Sequence, residues 1–185
     1  MIGRDETWPT VDGTPLSGVC QVNVAELPSV PETLGGVVLM TLFMEVVDGL
    51  PDPNATWEVR TYTSFDELAP IEPVVASAVR PFPMRWHAVE ADMPAWEDVS
   101  SLLDLADPAE YSERPHDGLK VGGWPTLIQG GTHWEPEDRR SAAPQFVWQV
   151  DSDEKTGIVW GDAGVLHLAR GTADVDVWAL SWDQM

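Results

Sequence analysis

Along this chain, apolar, β-branched and aromatic residues gather in short clusters, with proline and glycine breaking the sequence between them. That is the pattern of many short strands. The clusters predict strands at Gly18 to Val24, Val37 to Val47, Trp57 to Thr63, Met84 to Glu90, Phe146 to Asp151, Gly164 to Arg170 and Val175 to Trp182. The longest apolar run, Gly35 to Val47, is interrupted by Glu45 and falls short of the roughly 20 residues a helix needs to cross a bilayer. It reads as a buried strand. Helical spacing appears once, where Trp96, Val99, Leu102, Leu103 and Ala106 follow Asp92 as cap and Pro94 in the first turn. A shorter turn is expected where Ser64 and Glu67 fit a capping box before Pro70. Ser112 to Asp117 and Trp134 to Pro144 read as loops.

The clusters also repeat. Thr7-Trp8-Pro9-Thr10 is echoed by Gly123-Trp124-Pro125-Thr126, and each is followed by an apolar segment with a central glutamine: Val19-Cys20-Gln21-Val22-Asn23 and Val147-Trp148-Gln149-Val150-Asp151. Gly36 and Gly164 then stand at equal spacing behind Gln21 and Gln149, and each opens another apolar run. So distant an echo is too long for a solenoid, whose units run about 20 to 50 residues. It implies duplication within one domain spanning 1–185: one repeat over about 7–63, a second over about 120–182, and a helix-containing connection over about 64–119. The expected fold is α+β, predominantly antiparallel β with few helices, in which two intertwined repeats share a core.

Composition narrows the partners. The net charge is −21, from 31 acidic and 10 basic residues, and only Lys120 and Lys155 are lysines. Such a field repels nucleic acid and anionic membranes and attracts basic proteins; maintaining solubility is the plainer explanation of the same charge. The single cysteine, Cys20, cannot form an intrachain bridge, and the charged amino terminus carries no apolar export signal. The expected location is the cytoplasm.

Beyond these features, the chain resembles the YwqG-like bacterial family, a domain of unknown function with a glutamine-containing strand in each of two intertwined repeats. In the first half the resemblance rests on Trp8-Pro9, Pro15-Leu16, Gln21-Val22-Asn23, Ala25-Glu26-Leu27-Pro28 and the strand after Gly36. In the second it rests on Val121-Gly122-Gly123-Trp124-Pro125, Gln129, Gln149-Val150-Asp151-Ser152-Asp153 and Trp160-Gly161-Asp162-Ala163-Gly164. The family's amino-terminal helix and first Gly-Gly-x-Pro segment have no counterpart before Trp8, so the edge they cover is expected to be open or supplied by another chain. The resemblance implies a mainly β fold and transfers no catalytic residue.

Candidate chemistry is sparse. Gln21 and Gln149 are expected to be buried amides that fix neighbouring loops, or else to line a pocket. Gly122, Gly123 and Pro125 should form a tight turn with the Trp124 ring packed nearby; no lysine-serine or lysine-threonine pair follows to make it a phosphate loop. Asp151, Asp153 and Glu154 approach calcium-loop spacing, but Lys155 stands where that loop wants Asp or Asn, so a solvated hairpin turn is expected. Neither His133 with Glu135 nor His116 with Asp117 has a zinc frame, and no metal or cofactor is expected. His167, on an apolar strand, reads as a satisfied core or interface histidine that Asp162 could orient. Cys20 has no basic neighbour to activate it. Trp148 and Trp178 should fill a core, whereas Trp86, Trp96 and Trp134, near acidic segments, are candidate anchors. The reading is a non-enzymatic module that binds a basic protein, of immunity or client-shielding type. The alternative is a small-molecule binder or hydrolase with a pocket between the repeats near Gln21, Gln149, Asp162 and His167.

Overall fold

The computed structural model describes residues 1–71, 79–99 and 114–185. The chain forms two compact units: the first comprises residues 1–30, 34–87 and 153–159, the second 31–33, 88–152 and 160–185. Both are mostly antiparallel β with very little helix.

The first unit contains β1 (Ile2–Gly3), β2 (Thr10–Val11), β3 (Thr14–Pro15), β4 (Ser17–Asn23), β5 (Leu39–Met44), β6 (Val46–Val47), β7 (Leu50–Pro51), β8 (Trp57–Tyr62) and β9 (Leu68–Ala69). Its main sheet runs β4-β5-β8, with β5 in the centre. All six residues of β5 are buried, and a strand covered on both faces loses its alternation, which is why this segment reads as one apolar run. Glu45 ends it, and its carboxylate accepts from the Thr56 N–H at 3.2 Å before the chain resumes as β6. Ile2, Leu16 and Phe43 form an apolar cluster joined by Trp8 and Val11, each fully buried member contributing roughly 1.5–3 kcal/mol. The Trp8 ring meets Phe43 edge-on at 5.2 Å, and its Nε1 donates to the Leu16 carbonyl.

The second unit contains a short helix, α1 (Trp96–Val99), and a four-stranded sheet of β10 (Lys120–Val121), β11 (Pro144–Asp151), β12 (Val165–Gly171) and β13 (Trp178–Asp183), paired in that order. Trp148, Leu168 and Leu180 lie in register across β11, β12 and β13, and with Val150 and Leu166 they make one face a buried apolar layer. Trp148 and Trp178 are buried in it, as expected.

Several expectations are corrected. Met84 to Glu90 is not a strand: Pro81 and Pro83 remove ladder donors just upstream, and Val89 is exposed. The last strand starts at Trp178 rather than Val175, because Asp174 accepts from the Asp176 N–H and forms a turn. The short turn expected at Ser64 is present, with Ser64 accepting from the Asp66 N–H as the chain enters β9. Glu137–Ala142 is a 3₁₀ helix within what reads as loop. Asp92 does not cap α1, since its carboxylate is engaged elsewhere; Asp98 bonds the Ala95 N–H instead. The expected helical positions Leu102, Leu103 and Ala106, and Ser112, lie outside the described residues.

Candidate functional site

Opposite the apolar layer, the four strands of the second unit carry a row of polar residues in register: Lys120, Gln149, His167 and Ser181. A row of this kind on a sheet face must find hydrogen-bond partners or lose stability. The partners come from the main chain of 116–133. Gln149, 0% exposed, accepts from the Thr126 N–H at 2.8 Å, and its Nε2 lies 3.1 Å from the Gly118 carbonyl and 2.8 Å from the Asp151 carboxylate. Ser181 Oγ accepts from the His133 N–H at 3.0 Å. Asp183, two positions along the same face, accepts from the Ile128 and Gln129 N–H groups at 3.0 and 2.7 Å. The polar row thus grips an irregular segment through its peptide groups.

Asp92 anchors the start of that segment. Its carboxylate accepts from the N–H groups of His116 and Trp124 and pairs with Lys120 Nζ at 3.2 Å. Burial pushes the Lys120 ammonium below its usual range, an effect that Asp92 opposes. Burial likewise raises the Asp151 carboxyl, against the Gly118 N–H and the Gln149 amide. Gly123 has φ +74, and a β-carbon there would run into the Asp92 carboxylate, so glycine is required both by conformation and by space. The tight Gly122-Gly123 turn is therefore present; Trp124 beside it is 41% exposed and Pro125 is buried.

Between this segment and the sheet lies a cleft of about 260 Å³, lined by residues of 127–133 together with His167, Ser181 and Asp183. His167 stands in its wall and is 0% exposed. Its Nε2 lies 2.9 Å from the Thr126 carbonyl, which can only accept, so Nε2 carries the proton and Nδ1 a lone pair. Among the described residues nothing bonds to Nδ1. Burial lowers the His167 pKa to about 4; the Thr126 carbonyl and the Asp183 charge push the other way, and Lys120 reinforces the lowering. The ring is neutral at physiological pH.

Of the expected site residues, Trp124, Gln149, Asp162 and His167 belong to the second unit and Gln21 to the first. Gln149 and His167 are cross-strand neighbours. Gln21 belongs to the first unit, where its amide bonds the Met1 carbonyl and the Thr41 hydroxyl. Asp162 lies in an exposed turn whose main chain bonds Gln184 and Met185; Thr126, not Asp162, orients His167. Asp153 accepts from the Lys155 N–H within a hairpin closed by a bridge to Ile158. Cys20 has its thiol pKa pushed up to about 12 by burial. Sequence reasoning missed Asp92, Thr126, Ser181 and Asp183. Alternation along β13 puts Ser181 and Asp183 on one face, but no local signal pairs that face with His167.

These features define a small, mostly antiparallel β protein with a polar sheet face covered by an irregular segment. The family profile of the domain of unknown function DUF1963 matches residues 2–174, and the chain belongs to that family. No curated protein matches it.

Proposed function

We propose that the protein is a non-enzymatic binding module whose acidic surface holds a basic protein partner. The observation that carries this reading is the excess of exposed carboxylates over exposed cations. Arg60 pairs with Glu6 and Glu58, and Lys120 with Asp92. Arg170 donates to the Thr33 and Val175 carbonyls, Arg4 to Leu68 and Arg139 to Trp178. These five cations are engaged within the fold; Arg80, Arg85, Arg114, Arg140 and Lys155 are exposed, but they are outnumbered by exposed carboxylates such as Asp5, Asp12, Asp48, Asp66, Glu90, Asp117, Glu154, Asp174 and Asp176. The net charge of −21 favours basic partners over nucleic acid or anionic membrane. An immunity-type or client-shielding protein of the bacterial cytoplasm fits that chemistry. The test is capture from a lysate at low and high salt, followed by calorimetry with the purified partner. The expected result is a basic protein whose affinity drops steeply as salt rises, since exposed charges are screened beyond roughly 10 Å at 0.1 M. Retention of nothing basic, or an affinity flat in salt, refutes the reading.

We further infer that the two units are intertwined repeats of YwqG-like type. In each, the glutamine strand bulges two residues before the glutamine, with the ladder slipping between Gly18 and Cys20 in β4 and between Phe146 and Trp148 in β11. Each sheet carries a polar row through that glutamine: Gln21, Thr41 and Arg60, or Gln149, His167 and Ser181. The connection that follows the glutamine strand carries a segment grouped with the other unit in both cases, as 31–33 and 153–159. The matching glycines are not part of this support. Gly36 has φ +80 with open space at its β position, whereas a β-carbon on Gly164 would strike the Trp160 and Asp183 carbonyls.

A further inference from the structure

Three of the exposed cations, Arg80, Arg85 and Lys155, belong to the first unit, two of them on a stretch, residues 73–89, that contains no carboxylate. The Arg80 N–H donates to the Thr156 carbonyl at 2.6 Å, which joins this stretch to the hairpin that carries Lys155; Asp153 and Glu154 are exposed on the same hairpin. Among the described residues, the side chains of Arg80, Arg85 and Lys155 enter no ion pair, whereas Arg60 and Lys120 do. Between the two arginines the chain is extended and anchored. Pro81 and Pro83 fix their own φ at about −65° and push Arg80 and Phe82, which precede them, out of the helical region. Met84 and Trp86 are half-buried, and the Cys20 thiol donates to the Met84 sulfur at 3.9 Å. Arg80, Phe82, Arg85 and His87 are exposed, Phe82 by 59%. The result is a stiff strip with a bare aromatic ring between two guanidinium groups, whose positions lie about 16 Å apart on a chain rising about 3.1 Å per residue.

We propose that this strip docks a short acidic segment of another protein, in which carboxylates flanking an aromatic residue pair with Arg80 and Arg85 while the aromatic side chain packs on Phe82. Charge complementarity selects the class, since a guanidinium meets a carboxylate through paired, planar hydrogen bonds. The prolines preset the backbone, so little conformational freedom is lost on docking. A nucleic acid strand carries its charge on past the strip into the field of a chain with a net charge of −21, and is repelled. A second copy of the chain brings that same net charge and is repelled likewise. A short segment, on a partner whose remaining surface is not strongly anionic, places its carboxylates only where the cations stand. This surface is separate from the carboxylates invoked above, and it survives the failure of that reading.

The experiment follows the fluorescence anisotropy of a labelled peptide, Gly-Asp-Glu-Trp-Glu-Asp-Gly, titrated with the full chain in about 0.1 M salt, where the net charge is screened beyond roughly 10 Å. The peptide should bind saturably, and its counterpart with Asn and Gln in place of Asp and Glu about tenfold more weakly. Arg80→Gln combined with Arg85→Gln should weaken the acidic peptide by about tenfold as well, and Phe82→Ser by about threefold. All three side chains are exposed and the Arg80 N–H bond survives each change, so the variants stay folded. Arg114→Gln, at an exposed arginine outside the strip, should leave the affinity unchanged. The proposal is overturned if the acidic peptide does not bind, if the Asn and Gln peptide binds equally, if the double variant binds like the parent, or if Arg114→Gln loses as much. It is overturned too if single-stranded oligothymidylate binds more tightly than the peptide, or if sedimentation shows a dimer that the double variant dissolves, which would assign the strip to a second copy.

Discussion

Both units lay an irregular stretch of chain over a polar sheet face, but they hold it down by different means. In the first, Gln21 bonds the Met1 main chain, Arg60 donates to the Thr7 carbonyl at 2.9 Å, and Glu6 receives the Gly3 N–H, the Tyr62 hydroxyl and the Arg60 guanidinium. These contacts are half open to solvent and depend on charge. In the second, Gln149, His167 and Ser181 are buried, neutral and matched to peptide groups, with Asp92 and Asp183 holding the two ends. Water can replace a lost partner in the first arrangement but has little access to Gln149, His167 and Ser181 in the second. The same architectural problem is therefore solved once with screened, forgiving contacts and once with contacts that tolerate almost no error.

The sharpest way to break this contrast is to delete the two glutamines. Gln149→Ala strands the Thr126 N–H and the Gly118 carbonyl in a dry site, at about 1–3 kcal/mol each, so a loss of about 3–4 kcal/mol in urea unfolding is expected. Gln21→Ala, at a half-buried position, should cost under about 1 kcal/mol. Equal losses would mean that the two faces are held alike. Next in size is acid. His167 has its pKa depressed from 6.5 to about 4 by burial, so the unfolded chain binds its proton first as pH falls. Stability is lost between about pH 6.5 and 4 and levels off below, by on the order of 3 kcal/mol; hydrogen exchange at the amides of β11 and β12 should report it, and His167→Gln should flatten the curve. Third, Gly123→Ala should cost about 2 kcal/mol through strain and collision with Asp92, and speed exchange at the His116 and Trp124 amides. Gly36→Ala, strained but unobstructed, should cost about 1 kcal/mol.

What was legible in the sequence follows the range of the interactions. β4, β5, β8, β11 and β12 are readable because burial on a sheet is written locally, as a dense apolar run or an alternation. Met84 to Glu90 misled because its apolar residues have the composition of a strand without a ladder partner, and pairing is a long-range fact. The candidate site divides the same way. Gln149 and His167 stand out as polar residues in apolar strands, but their adjacency depends on register. Asp92 looked like a helix cap because Pro94 and Trp96 follow it, whereas its carboxylate serves peptide groups 24 and 32 positions away. Nothing local announces a partner at that distance.

The smallest expected effect tests the first unit on its own terms. Burial works against the Glu6 charge, but the Tyr62 hydroxyl, the Gly3 N–H and Arg60 outweigh it and hold its carboxyl below the ordinary range. A depressed carboxylate contributes stability that is present above its unfolded pKa and is lost as pH falls through the folded one. The first unit should therefore weaken only once pH drops below the usual carboxylate range, later than the histidine-driven loss in the second. Glu6→Gln should remove that step and cost no more than about 0.5 kcal/mol at neutral pH, because an exposed pair is screened by solvent. Raising salt to about 1 M shortens the screening length to about 3 Å and should erase the difference between Glu6→Gln and the parent protein, while the His167 transition, set by desolvation, stays where it was. Exchange rates at the β8 amides, read against those of β12 at both salt concentrations, check this; a histidine step that collapses with salt, or a Glu6 step that does not, would show that the two faces are not held by different physics.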